Sequence, residues 1–430
     1  NDSDSDDDAD DLGDLQFLAL ALPHSRKRRY PYRHSRWTRS DWDDHVRMLL
    51  SSSDSFKQRY HMSFESFETL HDIIKSKCQV DIKKSMAGTA NEVPATLSEV
   101  VVACGLRFLG GEDLKTLSDL YGMSDKTAYR LVFTRFLPAI DSSCHPLLTV
   151  KLPSTSEELC NCTAQWGERS TAGGCFDGVI GAIDGWLCCT DAPSTTYVSN
   201  TTDYFSGHYH RYGLNVQAVC DGNLRFLYFG VLGPGKTGDA RALTRATTLI
   251  KWLEDLPDKY FLVGDNAYQC TRKVVIPFSG ADKNIPENDS FNFYLSQLRT
   301  RIEMTFGLLT TKWRIFRRNL NYSPGHNSLI IRVAMTLHNF VIDSDHINRI
   351  HVEDDYSALH IVPLSGSTVA YLAHEDEEED NDVEHHFNNI GEDTDTSRRT
   401  EIVEELKSLL LQRPTYNVEQ NQQNQLQLGN

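Results

Sequence analysis

Three carboxylates stand out in this 430-residue chain because of what precedes them. Asp184 follows the apolar run VIGAI, residues 179 to 183, and Asp265 ends the apolar run KYFLVGD. A lone carboxylate costs several kcal/mol to desolvate, so each of the two either caps a loop in water or belongs to a site. Glu303 lies in QLRTRIEMTFGLLTTKWRIF, where Leu295, Leu298, Ile302, Phe306, Leu309 and Trp313 recur at helical spacing and define a buried stripe. Glu303 falls at the edge of that stripe, between Arg299 one turn before and Gly307 one turn after. Alone it reads first as a surface pair with Arg299, worth a few tenths of a kcal/mol. Together the three carry more weight. Carboxylates that converge without bases repel one another, and the usual remedy is a divalent cation held by oxygen ligands. Two such ions, about 4 Å apart, activate a water or hydroxyl and stabilise the leaving oxygen in phosphodiester chemistry. Asp184, Asp265 and Glu303 are therefore the candidate catalytic and metal-binding residues. No Walker loop, nucleophile elbow, GxGxxG or HExxH competes with them.

Convergence makes demands on the fold. Ligands of open α/β sheets bind beyond the carboxyl ends of the strands, so the strands ending at Asp184 and Asp265 must be neighbours. The patterning supplies them: strands VIGAI, YGLNVQAVCD and RFLYFGVLG, a helix from Asp239 to about Leu253, the strand KYFLVGD, and VVIPF as a fifth strand. Long helices are expected over about 293–313 and 327–342. Three meandering strands followed by a crossover give an α/β sheet. The catalytic domain is placed at residues 154–345.

Residues 41–150 read as helical. Thr96 with Glu99 forms a candidate capping box before LSEVVVACGLRFLG, which Gly110-Gly111 ends. DLKTLSDLYGMSDKTAYRLVFTRFL then has helix-turn-helix layout, within about 96–140, with Ser124 as N-cap. Lys126, Thr127 and Arg130 lie on the face that would enter a DNA major groove. A packed helical hairpin is the plain alternative.

A net charge of −17 is uninformative until it is divided along the chain. Residues 1–14 carry eight Asp and no base, and residues 371–430 carry 15 acids and 4 bases, which leaves the body at +2. Segments 1–40 and 346–430 read as mostly disordered on composition, acidic except for the basic patch SRKRRYPYRHSRWTRS at 25–40. That patch suits nuclear import or phosphate contact, or is a solvated linker. Leu15 to Pro23 is too short to span a bilayer, and its flanks are the reverse of a signal peptide's, so no membrane association is expected. Ten cysteines at irregular spacing favour reduced thiols, and Cys160, Cys162 and Cys175 lack a fourth ligand of matching spacing for zinc.

In combination, GAIDG around Asp184, NVQAVCD, GPGKTGDAR around Asp239, VGDNAY around Asp265, RTRIEMTFGLL around Glu303 and LHNF at 337–340 resemble the PIF/Harbinger-type DDE transposases and their domesticated nuclear relatives. The motifs keep family order over roughly residues 60–345. The resemblance implies an RNase H-like fold with Asp184, Asp265 and Glu303 as its DDE triad. It also implies Mg²⁺ or Mn²⁺ as cofactor, double-stranded DNA with terminal inverted repeats as substrate, a Myb-like partner protein and a nuclear location. Self-association is a further expectation. Asp239 matches a recurrent family acid but reads first as a helix N-cap. His338 and Asn339 also match, and read first as satisfied structural side chains. SGHYHRYG at 206–213 departs from the basic turn more usual in relatives. Two functions compete: a metal-dependent endonuclease that cuts transposon ends and joins them to target DNA, and a domesticated, catalytically silent DNA- or chromatin-binding factor.

Overall fold

Residues 40–52, 54–82, 96–167, 169–344 and 395–414 are described by a computed structural model. The acidic start, the basic patch at 25–40 and most of the 346–430 segment lie outside these residues.

The amino-terminal helices are α1 (Trp42–Leu50), α2 (Ser55–Tyr60), α3 (Phe64–Cys78), α4 (Ser98–Leu109), α5 (Leu114–Tyr121) and α6 (Asp125–Leu131). The chain continues from α6 through a π-helical turn, Val132–Phe136, into α7 (Leu137–Asp141). The capping box expected at Thr96 and Glu99 does not form: α4 starts after Leu97, which supplies no side-chain cap, and Thr96 is buried one residue too early. The next helix pair is capped as expected. Asp113 Oδ1 accepts from the Thr116 N–H at 2.8 Å, Gly122 closes α5 in the left-handed region at φ 62°, and Ser124 Oγ accepts from the Thr127 N–H at 3.2 Å.

Six strands form one sheet: β1 (Val179–Cys189), β2 (Phe205–Ser206), β3 (Arg211–Cys220), β4 (Phe226–Pro234), β5 (Phe261–Val263) and β6 (Val274–Val275). The order is β2-β3-β1-β5-β6, with β4 also paired to β3. β1, β3 and β4 are antiparallel, whereas β5 runs parallel to β1, and β6 parallel to β5. This mixed sheet with flanking helices agrees with the RNase H-like expectation. The expected neighbours, the strand of Asp184 and the strand leading to Asp265, are directly paired.

One face of the sheet packs under α8 (Ser156–Ala164), α9 (Asp239–Leu243) and α10 (Thr247–Asp255), through Ile183, Val219 and Leu262 against Leu159, Leu249 and Leu253. The single helix expected over 239–253 is thus two, broken at Thr244–Ala246. The other face, with Ala182, Ala218 and Val263, packs under α11 (Pro286–Lys312) and α12 (Pro324–Ser344). The helices of residues 42–141 share this second core without a break, and Arg332 of α12 clasps Asp141 through two 2.8 Å bonds. Division at residue 150 is therefore a change of secondary structure within one core.

Part of the expected carboxy-terminal tail is ordered. Helix α13 (Ser397–Ser408) buries Ile402, Val403 and Leu406 in the main core. Its arginines fix it in place. Arg399 lies 4.0 Å over the Phe278 ring, Arg398 5.5 Å over Phe261, and the Arg398 guanidinium donates to the Asp258 carbonyl. Beyond the helix, Tyr294 Oη donates to the Gln412 carbonyl at 3.1 Å. No helix among the described residues is long and apolar enough to cross a membrane.

Candidate active site

Asp184 does not end its strand. β1 runs on to Cys189, paired with β3 throughout, and Asp184 lies opposite Ala218. What ends there is the other neighbour: Ala182 is paired with Val263, the last residue of β5. Asp184 and Asp265 each stand two residues beyond that pair, so parallel register brings both to one level at the carboxyl end of β5. Asp184 is 8% exposed, and its Oδ1 accepts the Gly185 N–H at 2.7 Å. Asp265 opens a turn in which its Oδ1 accepts the Ala267 N–H at 3.0 Å.

Alternation puts Ala182, Asp184, Trp186 and Cys188 on the face that α11 covers. The contact is aromatic: the Trp186 ring, two residues after Asp184, lies 5.7 Å from that of Phe306, one turn after Glu303. All six stripe residues, Leu295 through Trp313, are buried, and Glu303 stands at the edge as its spacing requires. Its carboxylate pairs with Arg299 at 2.9 Å, with both side chains about one-fifth exposed. The donor set is three hard-oxygen carboxylates, which fits Mg²⁺ or Mn²⁺ in chemistry. Among the described residues, however, no three His, Cys, Asp or Glu side chains are gathered closely enough to hold a metal ion. Each carboxylate has a local partner: the Gly185 N–H for Asp184, the Ala267 N–H for Asp265 and the Arg299 guanidinium for Glu303.

A fourth carboxylate lies on the opposite face. Asp239 is the first residue of α9, after Gly238, and caps nothing, which corrects the N-cap reading. Its Oδ1 accepts instead from Asn215 Nδ2 at 2.8 Å and Gln217 Nε2 at 2.7 Å, both on β3. Burial raises its pKa, against the pull of these two amides and of the nearby His208 charge. Gly185, opposite Gln217, makes the room: a Cβ there would fall 2.0 Å from Asp239 Oδ1. Tyr268 Oη donates to Gln217 Oε1 at 2.5 Å and completes the network. The phenol is buried, and its pKa is raised well above the usual value by burial, then by Asp239, Asp184 and Asp265. Tyr268 thus stands within the field of three of the four carboxylates. The sequence reading missed Asn215, Gln217 and Tyr268. Its available signal was two polar side chains at period two in the otherwise apolar NVQAVC.

The other candidate residues are located as follows. Lys126 and Arg130 are exposed on α6, one turn apart, and Thr127 is half-buried with its Oγ1 bonded to Ser124 Oγ at 2.9 Å. Asn339 clamps Phe226 at the start of β4, accepting from its N–H and donating to its carbonyl, each at 2.8 Å. His338 Nε2 meets the Leu224 carbonyl at 2.8 Å. Both are satisfied structural side chains. Cys160 is exposed and Cys162 and Cys175 are buried, and the described residues gather no metal-binding cluster around them.

Residues 183–339 match the DDE superfamily endonuclease family. The match begins one residue before Asp184 and ends at Asn339. Over 325 residues, 71% of this chain and 75% of its counterpart, the chain is 24% identical to "Protein ALP1-like" of Arabidopsis thaliana. No solved structure matches.

Proposed function

We propose that the protein is a metal-dependent DNA endonuclease of transposase type, which cuts phosphodiester bonds at the terminal inverted repeats of a PIF/Harbinger-type element and joins the ends to target DNA. The observation that carries this reading is the shared level of Asp184 and Asp265, two residues beyond the Ala182–Val263 pair, on the side that the helix of Glu303 covers. Asp184, Asp265 and Glu303 would hold Mg²⁺ or Mn²⁺. Bound in such a site, the ions lower the pKa of an attacking water or hydroxyl and neutralise charge on the leaving oxygen. The chain's own share is positional. β1 carries one carboxylate, the turn that follows β5 carries the second, and Arg299 holds the third until DNA and cation compete for it. In the same reading the α5–α6 pair is a helix-turn-helix that meets duplex DNA through Lys126, Thr127 and Arg130. The protein acts in the nucleus, as an oligomer, with a Myb-like partner.

Single-turnover cleavage of an inverted-repeat duplex in Mg²⁺ and in Mn²⁺ tests this. Asp184→Asn, Asp265→Asn and Glu303→Gln should each lower the rate about 100-fold or more. Wild-type rates in any of them remove that residue from the reaction.

A second reading, a catalytically silent DNA- or chromatin-binding factor, is favoured by the Arg299–Glu303 pair and by the absence of a gathered metal cluster among the described residues. Duplex binding without cleavage in either metal would select it.

A further inference from the structure

We infer that the turn carrying Arg314, Arg317 and Arg318 is a phosphate-binding shelf on which the DNA backbone rests as it leaves the catalytic carboxylates. The inference rests on the proposed action on DNA and assigns a surface to it.

The turn follows α11 directly, as the 3₁₀ segment Arg314–Arg317 capped by Arg318. Anchors and cations alternate along it. Trp313, Ile315, Phe316 and Leu320 are buried, whereas Arg314, Arg317 and Arg318 are exposed. Among the described residues none of the three arginines forms an ion pair. The carboxylates around them are engaged elsewhere: Glu112 holds Arg107, Asp113 caps α5, and Asp191 takes Asn319. Lys312 adds a fourth cation, donating to the His61 carbonyl at 3.3 Å. The half-buried His61 imidazole lies in the positive field of this turn. Its pKa falls to about 4, first through burial and then through Arg314, Lys312, Arg107 and Arg317. Three exposed arginines on a fixed backbone, none of them in an ion pair among the described residues, are what a polyphosphate chain complements.

The shelf is bolted to the site. The Trp186 ring, two residues after Asp184, meets Phe316 edge-on at 5.1 Å while also packing on Phe306. At 1.5 Å per helical residue, Lys312 lies about 14 Å along α11 from Glu303, or about four base steps of duplex. On its other side the shelf touches the entry to the helix pair. Gly111, at φ +100°, is in a region where a side chain is strained, and a Cβ there would stand 3.2 Å from the Arg314 backbone. One duplex could therefore cross from carboxylates to arginines to α5–α6 without leaving the surface. Arginine suits the task, since it stays charged and forks onto phosphate oxygens.

The experiment measures anisotropy of a labelled 30-base-pair random duplex, with full-length protein, across a salt series. Wild type is compared with R314Q/R317Q/R318Q and with K251Q/K259Q/K283Q, which makes the same charge change on exposed residues elsewhere. The arginine variant should lose at least tenfold in affinity at low salt, and its log K against log salt should flatten by about 2 to 3, near 0.9 per lost phosphate contact. The lysine variant should keep the wild-type slope. Wild-type affinity and slope in the arginine variant, or equal losses in both variants, overturn the shelf while leaving DNA binding intact. A wild type that binds no duplex overturns the shelf together with the reading beneath it.

Discussion

The Tyr268 hydroxyl donates to Gln217 Oε1 across 2.5 Å, and the Gln217 amide donates in turn to Asp239. The turn after Asp265 is thereby tied to the strand beside Asp184, through the buried side chains of Tyr268 and Gln217. Tyr268→Phe removes one donor and leaves the Gln217 oxygen buried and unmet. The expected loss is about 1–3 kcal/mol of stability. Urea unfolding of the two proteins would show it, and an unchanged midpoint would mean that Gln217 finds another partner.

Gly185 and Asp239 occupy what is nearly a single space, so substitutions at the two positions should be coupled. Gly185→Ala alone should cost about 1–3 kcal/mol as its methyl group displaces the carboxylate. In an Asp239→Ala background the nearest obstruction is gone and only Gln217 Nε2, at 2.7 Å, is left to shift, so the same substitution should cost less. A double-mutant cycle in denaturant measures the difference, and simple additivity would contradict the geometry.

Without metal, removing one of several neighbouring carboxylates relieves repulsion. Asp184→Asn should therefore match or exceed the wild-type melting temperature in chelator. Millimolar Mg²⁺ or Mn²⁺ should raise the wild-type melting temperature and leave that of the variant in place, since only a binding-competent fold gains from the ligand. Equal shifts in both proteins would place the ions elsewhere.

Acid should weaken the fold partly through His338. Its buried ring has a pKa lowered to about 4, chiefly by burial, against about 6.5 in an unfolded chain. The neutral ring thus contributes its full stability above about pH 6.5. As the pH falls toward 4 the unfolded chain takes up a proton that the folded one refuses, and that contribution is lost. Asp221 works in the opposite sense: burial raises its pKa to about 6, so it favours the fold as pH drops below that value. His338→Gln should remove about one proton from the linkage between pH 6.5 and 4. Comparing the slopes of unfolding free energy against pH isolates that proton whatever the variant's overall stability, and identical slopes would show that the ring titrates normally.

Lys126→Ala with Arg130→Ala should weaken duplex binding and reduce its salt dependence by about two phosphate contacts. Filter binding at several salt concentrations would read both effects. A fall in affinity at constant salt slope would turn the α5–α6 pair into a packing element.

The succession of strands and the crossover were legible because short apolar runs are separated by polar turns, while the adjacency of β1 and β5 was only the condition that convergence of Asp184 and Asp265 required. The spacing of the α11 stripe, from Leu295 to Trp313, likewise placed Glu303 correctly at its edge. Legibility failed where one residue of offset decides the outcome. Thr96 and Asp239 are both good capping types, but the helices begin one residue away from where each would serve, and Asp239 takes its partners from a strand more than 20 positions earlier. Asp184 was read as a strand end because a carboxylate usually marks one. The neighbour that ended was β5, which no local pattern reveals. Composition misjudged Ser397–Ser408 for another reason. Two of the charges that make this segment look solvated, Arg398 and Arg399, lay their guanidinium planes over Phe261 and Phe278.

That docked helix changes what a shortened or nicked protein would be. The described residues end one stretch at Ser344 and resume at Asp395, ahead of the docked helix. A protease cutting between those points would produce two fragments still held together by Ile402, Val403 and Leu406, the Arg272–Glu401 bond and the Tyr294–Gln412 bond. Ending the chain at the start of the acidic stretch would have a different result, because it would expose to water the aromatic and aliphatic surface that α13 covers. A minimal working fragment therefore cannot be defined by trimming from the carboxyl terminus. It must be a two-piece complex, or a chain joined from Ser344 to Asp395 by a linker long enough to bridge them.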